Sequence, residues 1–169
     1  MKIIHTILIF SLFASLFTPP LAHAIEFDPT YILSDEELQD SKSMNQSEIQ
    51  SFLSGVGSYL SKYTTKDLNG KTKKASEIIA NAAKDHNINP KYLLVKLQKE
   101  QSLITLKNPS QKKLDGATGY GIDESCGWSC QIYLNNKGFG KQVDSAAGIM
   151  RWYYDNQQNK NWIKKKGIS

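Results

Sequence analysis

Apolar residues along this chain recur mostly three and four apart, the spacing of helices with one buried face. The first clear run is NQSEIQSFLSGVGSYL, where Ile49, Phe52, Leu53 and Val56 share a stripe that Leu60 extends. Asn45 stands at the N-cap with Glu48 three residues on, so a capping box is expected. Gly55 and Gly57 weaken the pattern, and the helix is expected to end or bend there. TTKDLNGKT reads as a loop that turns at Asn69-Gly70. A second helix is predicted from about Lys74 to His86, small and apolar on one face. NINP then ends it and begins the next: Asn89 caps, and Pro90 takes the first position, where its missing N–H costs nothing. This third helix, KYLLVKLQKEQSLI, is predicted to run to Ile104, with Pro109 marking the exit. Residues 115–140 hold many glycines and no period, which predicts a loop or a small β-hairpin. GKQVDSAAGIMRWYYDNQ gives a closing helix with Val143, Ala146, Ala147, Met150, and Tyr153 or Tyr154 on its inner face. The fold class is mainly α, with a small irregular or β-hairpin lobe.

The two ends read differently. Lys2, the apolar run from Ile3 to Phe17 and the site Ala22-His23-Ala24 describe a signal peptide over residues 1–24, cleaved near Ala24. The apolar run is shorter than the ~20 residues that span a bilayer, so no transmembrane segment is expected after cleavage. The protein is therefore expected to be secreted, or to lie in the periplasm or cell wall. Residues 25–44 form an acidic N-terminal arm, read as extended and either docked on the body or partly disordered. Residues 45–157 form the helical domain, and residues 158–169 a basic C-terminal tail that reads as a linker.

Charge follows this division. Ile25 to Gln50 holds seven acids and one base, a net of −6, whereas residues 51–169 hold nineteen bases and nine acids, a net of +10. A basic body suits an anionic partner such as a cell-wall polymer or a membrane surface, or is simply solubilising charge. Nucleic acid is not an expected partner, since no binding motif is present. Cys126 and Cys130 are the only cysteines, and in an exported protein the pair is most simply a disulfide closing CGWSC. His86 is the one histidine after residue 24, so neither a metal centre nor a cofactor is expected. The protein is expected to be a monomer.

Glu100 is the misfit. It falls within the apolar stripe of Leu93, Leu97 and Ile104. A carboxyl in apolar surroundings holds its proton more tightly, which is the property a general acid needs to cleave a glycosidic bond. The bland alternative is a carboxylate at the edge of the stripe, paired with Arg151 or with Lys96. Sixteen residues on, GATGYG offers a backbone that a sugar can approach closely, and Tyr120, Trp128, Tyr133 and Phe139 offer rings for stacking.

Taken in order, INPKYLLVKLQKEQSLI, GATGYG and GFGKQVDSAAGIMRWYY resemble the lysozyme-like superfamily, in particular the branch of soluble lytic transglycosylases and goose-type lysozymes. The resemblance covers roughly Ala75 to Tyr154. It implies a lysozyme-like fold, peptidoglycan as substrate and Glu100 as the catalytic acid. It also implies a cleft lined by Gly116, Gly119 and Tyr120, with Tyr153 or Tyr154 at the wall. A hydrolase of this kind holds its water with a second carboxylate, for which Asp115, Asp123 and Glu124 are available, Asp123 or Glu124 being preferred. A transglycosylase needs only Glu100. The chain departs from the family pattern in two places: Gln101 separates Glu100 from Ser102, and Gly-Tyr-Gly-Ile replaces the usual Gly-Leu-Met-Gln. The alternative function is a glycan-binding or adhesive module that has lost turnover.

Overall fold

The structure, a computed structural model, describes residues 33–157. The expected signal peptide, the first part of the acidic arm and the basic tail lie outside the described residues. The described chain is mainly helical. It runs through α1 (Asp35–Gln39), α2 (Gln46–Gly55), a 3₁₀ turn (Tyr59–Ser61), β1 (Thr64–Lys66), β2 (Thr72–Lys74), α3 (Ala75–Asp85) and α4 (Pro90–Gln101). It continues through α5 (Gln111–Asp115), a second 3₁₀ turn (Gly127–Ser129), α6 (Gln131–Asn135) and α7 (Phe139–Asp155). Among the described residues, no helix is long and apolar enough to cross a membrane.

α3 is the central element. It packs on α7 along one side, on α2 along another, and on α4. Its apolar face is short-chained, with Ala75, Ala82 and Ala83 buried beside Ile78 and Ile79. Ala146 and Ala147 of α7 are equally buried, and together these alanines let the helices come close. Ile49 and Leu53 of α2, Leu93, Leu94 and Leu97 of α4, and Phe139 and Val143 of α7 complete the core. The expected caps are in place. Asn45 and Glu48 form the capping box of α2, and the Asn89 side chain accepts from the Lys91 N–H with Pro90 at the first position of α4.

Three elements differ from their sequence expectation. The acidic arm is helical from Asp35 to Gln39 rather than extended, because Ser34 and Glu37 form a second capping box and three acids fill the first turn, where the helix dipole favours them. It is also docked. The Leu38 carbonyl accepts from the Asn89 N–H at 2.7 Å, and the Glu37 carbonyl accepts from Asn89 Nδ2 at 2.8 Å. The β-hairpin lies in TTKDLNGKT, not in residues 115–140. It pairs Thr64 with Lys74, Thr65 with Lys73 and Lys66 with Thr72, and the Asp67 carboxylate accepts from the N–H groups of Asn69 and Lys71 inside the turn. The glycine-rich segment instead forms α6 and a run of turns, with Gly119, Gly121 and Gly127 at positive φ, a conformation that interrupts strands. Finally, α4 stops at Gln101. Ser102 turns left-handed at φ 58°, the Leu103 N–H donates to the Leu97 carbonyl, and Leu103 and Ile104 enter the core from this turn rather than from the helical stripe.

The hairpin is seated on the start of α7. A Cβ on Gly140 would collide with the Lys66 carbonyl oxygen and lie 2.8 Å from the Asp67 Cα, both rigid backbone atoms. Gly55, at the end of α2, has open space where its Cβ would be. Urea denaturation is therefore expected to show opposite signs for one change: Gly140→Ala destabilises by about 1–3 kcal/mol, and Gly55→Ala stabilises by about 0.5–1 kcal/mol.

Candidate functional site

The face of α4 turned to one side of the body carries Tyr92, Lys96 and Glu100, four residues apart and hence stacked along the helix. Opposite them, α7 presents Ala146, Ile149, Met150 and Tyr153. Between the two helices lies a groove of about 450 Å³. The segment Thr118–Gly121 and Ile132 of α6 complete its lining. Groove walls of this kind, tyrosine and aliphatic with polar groups between them, suit a ligand with both flat and hydroxylated faces.

Glu100 is not itself a lining residue; it lies behind Gly119, which is. A Cβ on Gly119 would sit 3.2 Å from Glu100 Oε2, and Gly119 itself is at φ +71°, so only glycine fits this contact without strain. The other carboxylate oxygen accepts from Lys96 Nζ at 2.9 Å, and both side chains are about one-third exposed (31% for Lys96, 30% for Glu100). Of the two partners expected for Glu100, Lys96 holds it. Arg151 does not: its guanidinium binds the Asp155 carboxylate and Gln39 Oε1 and lies over the Tyr154 ring. Burial, then the charge of Glu100, then Tyr153 push the Tyr92 phenol above its ordinary value of 10.0. Tyr92 thus remains a neutral hydrogen-bond donor at the groove.

The remaining expected residues separate into those at the groove and those elsewhere. Gly119, Tyr120 and Tyr153 line it. Tyr154 points the other way, its hydroxyl accepting from Gln39 Nε2 at 2.8 Å. Gly116 is buried beneath the Trp128 ring, which Lys112 covers at 4.5 Å and Tyr133 meets edge-on. Tyr133 and Phe139 are core residues, so neither presents a free ring face. Asp123 and Glu124 are exposed and outside the groove lining. Asp123 instead accepts from the hydroxyl and N–H of Ser125, and these bonds, the hydroxyl first, hold its carboxyl below the usual range. Asp115 is engaged by Gln111 and Lys137. Cys126 and Cys130 form a disulfide. Asp123 and the two sulfurs lie within 4.8 Å of one another, but sulfurs bonded to each other are not the thiolates a metal needs.

Gln142 is the residue that periodicity overlooked. It is fully buried on α7, and it spends both ends of its amide on the groove loop. Its Oε1 accepts from the N–H groups of Thr118 and Tyr120 and from the Thr118 hydroxyl, at 3.1 to 3.3 Å. Its Nε2 donates to the carbonyls of Tyr120 and Asn136, both at 3.1 Å. Gly119, between these anchors, is thereby pressed against Glu100. The signal was available: Gln142 lies three residues after Phe139 and four before Ala146, a polar group on an apolar stripe.

Residues 31–167 match the family described as LasA, N-terminal domain. The chain belongs to that family. The match takes in every element from α1 to α7, the groove included. No curated protein and no solved structure matches the chain. Within this LasA N-terminal domain, Gln142 is the internal support of the groove and Glu100 the carboxylate at its edge.

Two measurements test this arrangement. Gln142→Leu leaves the N–H groups of Thr118 and Tyr120 and the Tyr120 carbonyl without their Gln142 partner, and is expected to cost at least about 3 kcal/mol in urea denaturation. Tyr92, whose phenol is raised in the folded state, contributes stability that is complete below pH 10.0 and lost as pH rises through the raised value. Burial, and next Asp115, raise the Tyr133 phenol as well. Ultraviolet titration of the folded protein should therefore show late-ionising tyrosines, of which Glu100→Gln moves one, Tyr92, downward, burial leaving part of its rise in place.

Proposed function

We propose that this is a secreted protein that cleaves the glycan strand of peptidoglycan, with Glu100 as the single acid and then base. The observation that carries the reading is Glu100 at the edge of a tyrosine-lined groove, pressed by a glycine loop that comes close enough for a sugar to meet backbone. Membership of a family named for LasA, a cell-wall-acting protein, points to the same surroundings. The lysozyme-like resemblance of the three sequence blocks supports the chemistry.

Among the described residues the groove lining holds no carboxylate, and Glu100 stands just outside it beside Gly119; a single acid suits the transglycosylase route, which needs no second carboxylate. In that route the protonated Glu100 donates to the glycosidic oxygen, and the C1–O bond breaks as positive charge develops on the ring. The Glu100 carboxylate then takes the proton from the C6 hydroxyl of the same sugar as its oxygen bonds to C1. The products are a 1,6-anhydro end and a free 4-hydroxyl, and Glu100 is again protonated. Tyr92, neutral and adjacent, is placed to donate a hydrogen bond within the groove.

A second reading, a glycan-binding module without turnover, is favoured by the 2.9 Å ion pair with Lys96, since a paired carboxylate is not yet an acid. Glu100→Gln separates the two. Under the enzyme reading it lowers release of soluble fragments from purified peptidoglycan by about 10²–10⁴-fold, with folding and pull-down on the insoluble polymer unchanged. Binding of the polymer by wild-type protein with no release between about pH 4 and 8 establishes the module instead.

A further inference from the structure

Resting on the groove being a glycan site, we infer that Lys96 is its specificity residue and selects a strand whose sugar carries a free carboxylate. Lys96 is the one charged residue lining the groove among the described residues; its neighbours there are tyrosines, aliphatic side chains, Thr118 and glycine backbone. Hydroxyls and amides of a neutral glycan are served by the tyrosines and the backbone of the loop. An ammonium standing alone in such a wall is served best by an anion.

In the free protein that anion is Glu100, at 2.9 Å. Both groups are part-exposed, so the pair is open to exchange with an incoming carboxylate. A sugar carboxylate that accepts from Lys96 Nζ displaces Glu100 from the ammonium. Glu100 is then left beside Gly119 without its internal partner. A neutral strand occupies the groove but leaves Lys96 on Glu100. One residue thereby reads the substrate's charge and releases the acid that acts on it, and strands stripped of peptide, whose muramic carboxylates are free, are the class selected.

Two tetrasaccharides of alternating N-acetylglucosamine and N-acetylmuramic acid provide the test, one with free carboxylates and one with the same groups as methyl esters. Calorimetry on wild-type protein is expected to show about tenfold tighter binding of the acid form. Lys96→Met brings the two affinities within about twofold, and Lys96→Arg keeps the preference. Glu100→Gln, which releases the ammonium from its internal partner, widens it. Equal wild-type affinities, an equal loss for both sugars in Lys96→Met, or a narrowed preference in Glu100→Gln each overturn the role of Lys96. If wild type binds neither sugar, the groove is not a glycan site and both readings fall. If the preference is present but no strand is cut, the enzyme reading alone falls.

Discussion

The groove depends on one buried amide. Glutamine in a helical core costs desolvation unless every polar atom finds a partner, and Gln142 finds them in the loop it must hold. The arrangement works in both directions. Gly119 pairs locally, its N–H with the Gly116 carbonyl and its carbonyl with the Ile122 N–H, but the N–H groups of Thr118 and Tyr120 on either side turn to Gln142. Gln142 supplies, from the side, the donor and acceptor that a neighbouring strand would otherwise provide. A leucine would pack there, but the loop would then lose the amide that ties Thr118 and Tyr120 to α7.

That distance matters because α4 concentrates the groove's charge. Tyr92, Lys96 and Glu100 share one face, while Leu93, Leu94 and Leu97 turn into the core. The helix is thus amphipathic with a second face that borders a groove through Tyr92 and Lys96. The Lys96–Glu100 pair is the helical (i, i+4) pair in the reverse of the order that best suits the helix dipole, so it adds little to helix stability.

Much of this was legible in the chain. The two capping signals at Asn45 and Asn89, the alanine-rich faces of α3 and α7 and the short cysteine spacing all rest on local rules, and the structure follows them. Glu100 was expected within the apolar stripe. It lies off it, on the face of Tyr92 and Lys96, about one-third exposed and paired with Lys96 as the alternative had it. The reason is that α4 ends at Gln101 and Ile104 does not continue the stripe. What escaped were features whose reason lies far away in sequence. The hairpin is polar on both faces, so no alternation announces it; its strands are defined by Asp67 folding the turn and by Gly140 receiving their backbone. The docking of α1 depends on Asn89, more than fifty residues on, which serves at once as cap and as partner to the Glu37 and Leu38 carbonyls. The choice between Tyr153 and Tyr154 required Gln39, whose amide claims one of them. Ring positions such as Phe139 and Tyr133 looked available only because periodicity does not report depth.

The seat of the hairpin on Gly140 has a consequence for the order in which the molecule is made. The contact joins Lys66 and Asp67 to a residue more than seventy positions later, so it closes a long loop, a step whose entropy must be met before its packing is gained. α7 supplies a full wall of the groove and also the amide that holds the loop. A chain growing from its first residue therefore completes α4, with Lys96 and Glu100 already neutralising each other, well before a groove exists around them. The groove is the last thing to be assembled, and until then the two charges are one another's company.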